Sequence, residues 1–383
     1  MKLFNRSIVL LIAGITASGG VIHADSAVGV RERKVDVGEG VTLRVIEAGQ
    51  GSGSTLVFIP GWSTGADIWR QQVDRFAPTH RVIAFDPRSQ GQSTITRSGN
   101  TPEIRAQDLH NLLERLDARR PVLIGWSQGV QDLAAYIERY GTHDLAGLVV
   151  VDAAVSDGAD GVVARPQETA AQFKMFAVYQ AHQEEYLRGM MGAIISKPQP
   201  KGTIDRLVAT GMKTPPTIGI GMLVADLFGE NRTAALKKID CPTLIIASAK
   251  SDELVRQQAG ASQIPHARFE KIDAAAHAVF LDQPVRFDEL VEKFVKDVAT
   301  PSADSTSSHR NVRQNWVWRG RRSPSSPRDE SFHSADRTGV ACEGACVPQS
   351  YPRCRGFRSE RTFIFASAAG FGGEESRWRE PWR

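Results

Sequence analysis

Between residues 25 and 300, short apolar runs alternate with amphipathic stretches. Val41–Val45 alternates apolar and polar positions as a half-buried strand does, and it faces Lys34–Val37 across Gly38-Glu39-Gly40 as a hairpin. Thr55–Ile59 is a continuous apolar run closed by Pro60-Gly61. Ala66–Phe76 reads as a helix and Arg81–Phe85 as a second buried strand. Thr101-Pro102 opens a helix through Leu116, with threonine as the cap and proline at the first helical position. The pattern then predicts a strand at Pro121–Ile124, a helix at Val130–Tyr140 and a strand at Leu145–Val151. Further strands follow at Pro242–Ile246 and Arg268–Ile272, and a closing amphipathic helix at Pro284–Val298. Uniformly apolar strands alternating with helices specify an α/β fold, a mostly parallel central sheet flanked by helices on both faces. The hairpin adds antiparallel strands at one edge. In such sheets ligands bind beyond the carboxyl ends of the strands.

Residues 156–240 break the alternation. Helical patterns at Thr169–Ile195 and Thr233–Ile239 flank segments rich in Gly, Pro and Met. This stretch is expected to be a helical cap lying over the carboxyl edge of the sheet, with the core formed by 25–155 and 241–300.

One motif falls where a strand hands over to a helix. Gly125-Trp126-Ser127-Gln128-Gly129 matches G-x-S-x-G, the turn on which a serine is presented as a nucleophile. The motif alone is common by chance, and a strand before it with a helix after it makes it specific. A neutral hydroxyl is a poor nucleophile, so it needs a histidine base oriented by a carboxylate. Asp252 lies in the loop after the strand ending near Ile246, and His277 in the loop after Arg268–Ile272. Asp152, at the end of Val149–Val151, is the rival acid. Asp86, Arg88 and Ser93 are expected to organise a loop through turn hydrogen bonds and a buried ion pair.

Taken in order, FIPGWS, FDPRSQGQS, GWSQG, PTLIIASAKSD and DAAAHAVFLDQP make residues 34–300 resemble an α/β-hydrolase with a helical cap. The resemblance implies Ser127 as nucleophile, His277 as general base and acid, and Asp252 as the orienting acid. It implies an oxyanion hole built from the backbone N–H groups of Trp62 and Gln128. Pro60-Gly61 stands where His-Gly is usual in the family, and Ala249 where glycine is commoner in the acid loop. Trp62, Trp126, Phe176, Met191 and Met222 are the expected substrate-binding side chains, giving an adaptable apolar pocket. The implied chemistry is hydrolysis of a carboxylic ester or lactone, such as a hydrophobic ester or a macrolide lactone, without metal or organic cofactor. A cofactor-free haloperoxidase or perhydrolase, an aminopeptidase of the same fold, and a non-catalytic ligand-binding homologue are the alternatives.

Composition changes the picture only at the ends. The net charge of +4 at pH 7 arises in residues 301–383, which hold 14 Arg and no Lys against 9 Asp and Glu, while the body is nearly neutral. That stretch lacks sustained periodicity, so it is expected to be disordered or a non-native extension, and its basic runs read as solvated rather than as a nucleic-acid site. At the other end, Lys2 and Arg6 precede an apolar run from Ile8 to Ile15 and small residues up to Ala24. This is the layout of a secretory signal peptide over residues 1–24, implying export to the periplasm or medium without stable membrane insertion. Cys342, Cys346 and Cys354 have no well-spaced fourth ligand and read as incidental. The expected partner is a small-molecule ester or lactone.

Overall fold

The computed structural model describes residues 29–49 and 53–299. The expected signal peptide and the Arg-rich tail lie outside the described residues. Eight strands form one sheet in the order β1-β2-β4-β3-β5-β6-β7-β8. The antiparallel edge is β1 (Arg31–Gly38) and β2 (Val41–Ala48), with β2 also antiparallel to β4 (Arg81–Phe85). The remaining pairs are parallel and involve β3 (Thr55–Ile59), β5 (Val122–Trp126), β6 (Gly147–Val151), β7 (Thr243–Ser248) and β8 (Arg268–Ile272).

Successive strand residues feed opposite layers, as the two-residue period requires. Leu56, Phe58, Ile124, Val149 and Ile246 pack into one layer, whereas Val57, Ile59, Leu123, Leu148 and Ile245 pack into the other. The first layer is closed by α1 (Arg70–Phe76) and by α11 (Pro284–Ala299), which buries Phe287, Leu290, Val291, Phe294 and Val295. The second is closed by α2 (Pro102–Arg115) and α3 (Gln128–Tyr140). The expected helix at Ala66–Phe76 is a 3-10 turn, Ala66–Trp69, running into α1. Thr101 occupies the N-cap position of α2 with extended backbone, but its hydroxyl makes no capping bond.

Between β6 and β7 come α4 (Gly158–Ala164), α5 (Pro166–Ala181), α6 (Gln183–Ile194), α7 (Thr203–Gly211) and α8 (Pro216–Phe228), then a 3-10 turn at Thr233–Lys238. The continuous pattern read over 169–195 breaks at His182 into α5 and α6, and the Gly- and Pro-rich segments are themselves helical. Proline at the first turn of α5 and of α8 costs no hydrogen bond, because those N–H groups have no intrahelical acceptor. Beyond β7 lie α9 (Leu254–Ala261) and, after β8, the short α10 (Val279–Asp282).

The loop after β4 is structural, held by turn hydrogen bonds and buried ion pairs. Asp86 accepts the N–H groups of Ala66 and Gln92 and faces Arg44, while Arg88 forms its buried ion pair with Asp108 on α2. Ser93 donates to the Asp86 carbonyl.

Candidate active site

β5 ends at Trp126, and α3 begins at Gln128. The residue between them, Ser127, has φ 56° and ψ −120°. Holding a non-glycine residue there costs about 1–3 kcal/mol, a strain that the surrounding backbone must over-determine. It does so by close packing. A Cβ on Gly129 would sit 2.8 Å from the Ile59 carbonyl, so α3 can approach β3 only with glycine at that position. Ser127 also donates its N–H to the Val151 carbonyl at 3.2 Å.

The loop after β3 closes over this turn. A Cβ on Gly61 would lie 2.8 Å from Trp126 Cζ3 and 3.0 Å from Ser127 Cβ, so glycine is what lets the loop reach the serine. Thr64 folds the loop into a turn through its N–H and hydroxyl, both donated to the Gly61 carbonyl. The N–H of Gln128, first in its helix, has no intrahelical acceptor. Among the described residues the Trp62 N–H is likewise not engaged by a backbone or side-chain acceptor. Both residues border the same cavity as Ser127.

His277 follows β8. Its Nδ1 lies 2.9 Å from Oδ2 of Asp152, a carboxylate 1% exposed. Asp152 sits one residue past β6 at φ 45°, a conformation Asp tolerates better than most residues. Its other oxygen accepts the Ser248 N–H at 2.7 Å and Gln257 Nε2 at 3.4 Å. Asp252 is not the partner of His277. It stands largely exposed in the turn before α9, where partial desolvation together with nearby Glu168 and Asp152 raises its carboxyl above the usual range. The reason is local: Asp152 stands one residue past β6 with Oδ1 held by the Ser248 N–H at the end of β7, which leaves Oδ2 for His277. Asp252 comes four residues after β7 ends at Ser248, in the exposed turn before α9.

The imidazole is further fixed by aromatic packing. The Trp126 ring lies 5.1 Å from the His277 ring, and the Trp126 indole N–H donates to the His277 carbonyl at 3.0 Å. Trp126 in turn packs edge-on against Phe280 and Trp69, which stack at 3.9 Å. Trp126 thus supports the histidine loop as well as bordering the pocket.

Ser127, Asp152 and His277 open on one cavity of about 480 Å³. Its apolar wall comes mainly from the insertion, through Met175, Tyr186, Met190, Ile194 and Leu223, with Trp62 edge-on to Tyr186. Phe176, Met191 and Met222, expected to bind substrate, do not line it. They are buried in the packing of the insertion, at 5%, 0% and 0% exposure. Each is off by one residue from a wall residue, because helices buried on two sides carry apolar residues on both faces. Trp62 does border the cavity, with its indole N–H fixed on the Gly219 carbonyl of α8 and its ring edge-on to Tyr179.

Behind Gln128 lies a buried ionic cluster that the sequence reading missed. Asp226 of α8, 2% exposed, accepts from Arg105 Nη2 and from Gln128 Nε2, and Arg105 Nε also donates to Asp132 at 2.8 Å. Burial pushes the Asp132 carboxyl up to about 7 despite the Arg105 charge beside it. The signal was a single acid in the otherwise apolar PTIGIGMLVADLF. Among the described residues, no group of three or more His, Cys, Asp or Glu is placed to hold a metal ion.

The alpha/beta hydrolase family profile matches residues 56–290, which contain the elbow, the loop after β3, Asp152 and His277. The chain belongs to the alpha/beta hydrolase family. This hydrolase is 32% identical over 263 residues to a non-heme chloroperoxidase of Kitasatospora aureofaciens, a match covering 65% of this chain and 92% of that protein. It is 25% identical over 270 residues to the 3-oxoadipate enol-lactonase 1 of Acinetobacter baylyi, covering 68% and 95%. Among solved structures it resembles a putative aryl esterase from Burkholderia cenocepacia with a TM-score of 0.62 and 25% identity, covering 70% of this hydrolase and 99% of that chain. No helix among the described residues of the hydrolase is long and apolar enough to cross a membrane.

Proposed function

We propose that this hydrolase cleaves carboxylic esters or lactones through an acyl-enzyme on Ser127. The observation that carries the proposal is the 2.9 Å contact of His277 Nδ1 with buried Asp152, beside a serine held at positive φ on the same cavity. With its Nδ1 proton held by the carboxylate, the imidazole presents a basic Nε2. Ser127 Oγ attacks the carbonyl carbon as its proton passes to His277, and the tetrahedral oxyanion rests on the N–H groups of Trp62 and Gln128. The alcohol leaves with that proton. Water, deprotonated by the same imidazole, then releases the acid and restores the serine. The apolar wall from the insertion suits a hydrophobic acyl or ring portion of the substrate.

A fluorophosphonate probe tests the proposal. The parent should be labelled on Ser127 and lose turnover, and Ser127→Ala should give neither labelling nor hydrolysis across a panel of acyl esters and lactones. Retention of both in Ser127→Ala would remove the serine from the chemistry, and absence of labelling in the parent would favour a ligand-binding role.

The chloroperoxidase relative favours a second outcome at the same acyl-enzyme. Hydrogen peroxide in place of water would release a peracid, and the peracid would oxidise halide. Peroxide-dependent bromination that requires acetate would detect this. The N-terminal pattern supports export, and with it a substrate met outside the cytoplasm.

A further inference from the structure

The loop carrying His277 is clamped from both sides of the histidine to one short segment at the exit of α6. Ala276 donates its N–H to Asp282 Oδ2 at 2.7 Å, and Ala278 donates to the Ile194 carbonyl at 2.8 Å. The Asp282 carboxylate, 6% exposed at the end of α10, also accepts Ser196 N–H at 2.9 Å, Ser196 Oγ at 2.7 Å and Lys197 N–H at 2.9 Å. Among the described residues it has no cationic partner. Four donors from two separate segments converge on it, three of them backbone N–H groups. A buried carboxylate is costly unless satisfied in this way, so the site is built around the charge. Ile194 and Ser196 border the cavity on the insertion side, and Ala276 and His277 border it on the sheet side.

We propose that Asp282 is a positioning residue for His277. It acts through the Ala276 N–H to hold the imidazole between Asp152 and Ser127, and through Ser196 and Lys197 it registers the insertion wall of the pocket against that base. The inference rests on the reading of His277 as the base. A misplacement of the order of 1 Å at such a group lowers turnover about 10²-fold, whereas the apolar wall formed by Met175, Tyr186, Met190 and Leu223 makes no hydrogen bond to Asp282.

The experiment uses the full-length protein with Asp282→Asn and Ser196→Ala. In Asp282→Asn one of the two acceptor oxygens becomes an NH2 group facing N–H donors. Its kcat should fall roughly 10–100-fold with KM within about threefold. The far-downfield proton resonance of the His277 Nδ1–H, followed by NMR, should shift or broaden. Ser196→Ala keeps the carboxylate charge and removes a single donor, so it should show the same signs at smaller amplitude, with kcat down about 2–5-fold. A folded Asp282→Asn with parental kcat and an unchanged Nδ1 resonance would overturn the proposal. Should Asp282→Asn fail to fold, parental kcat and resonance in Ser196→Ala would overturn it equally. Loss of fluorophosphonate labelling in Ser127→Ala is independent of these outcomes, so failure here is separable from failure of the Ser127 mechanism.

Discussion

Replacing Asp152 by asparagine isolates its role, because the structure dictates how the amide must lie. Oδ1 accepts the Ser248 N–H at 2.7 Å, so the amide oxygen has to stay on that side. The NH2 is thereby turned toward His277 Nδ1, where the parent carboxylate accepts at 2.9 Å. A donor facing Nδ1 forces the imidazole proton onto Nε2, the nitrogen that should take the serine proton. The histidine is then present, correctly placed and in the wrong tautomer. In a triad of this kind the exchange costs about 10⁴-fold in kcat, about 5.4 kcal/mol at 1.36 kcal/mol per decade. The fold should barely notice, since Asn occupies the φ 45° conformation as readily as Asp. Asp252→Asn, an exposed turn substitution, should stay within about twofold of the parent, in line with surface changes elsewhere. The assay is steady-state hydrolysis of a chromogenic ester with thermal unfolding as the control. If Asp252→Asn lost more than about 10²-fold while Asp152→Asn kept a tenth of parental kcat, the reasoning from contact geometry would be refuted.

Gly61→Ala should reduce kcat by about 10²-fold or more with a smaller change in KM, because the new Cβ would meet Trp126 and Ser127 within 3.0 Å and displace the Trp62 N–H; parental kcat would show that this loop is not part of the oxyanion site. Leu223→Ala should enlarge the cavity and raise relative kcat/KM for bulkier acyl groups. Met222→Ala should instead destabilise by about 2–5 kcal/mol and leave acyl preference unchanged, a contrast readable from unfolding curves and a substrate series. Asp288 tests the pH dependence of stability. Burial pushes its carboxyl from an ordinary value near 3.8 up to about 6, so the folded state holds the proton more tightly than the unfolded chain. Between those values folding takes up a proton and stability falls as pH rises, with the full cost present above about 6. Asp288→Asn should therefore raise Tm at pH 8 and converge on the parent below pH 4; an equal offset at both pH values would contradict it.

β3 and β4 are legible in the sequence to the residue, because short apolar runs between turn residues admit few alternatives, and the edge strand β8, RFEKI, matches its expected bounds although only Ile272 is buried. The serine and the histidine are legible for a similar reason, since each lies in a loop directly after a strand that the pattern defines. The acid was not. Asp152 and Asp252 both follow strands, and what brings Asp152 to His277 is its anchoring on the Ser248 N–H, 96 residues further along the chain. A one-dimensional pattern does not contain such a long-range contact. The pocket wall failed differently. Met175, Met190 and Leu223 face the cavity while Phe176, Met191 and Met222 face the packing behind it, and helices apolar on both sides give periodicity no preferred face. Residues 1–28 and 300–383, with the expected leader and tail, lie outside the described residues.

The salt link from Asp226 to Arg105 constrains how this pocket can change. Lifting α8 away from the sheet would part Asp226 from Arg105 and leave that buried guanidinium with Asp132 alone, a penalty of about 3–5 kcal/mol for breaking such a pair. Traffic of reactants and products is thereby confined to rearrangements smaller than a swing of the whole roof. Anyone transplanting a foreign roof onto this scaffold would have to bring an acid to the same spot, or remove Arg105 with it.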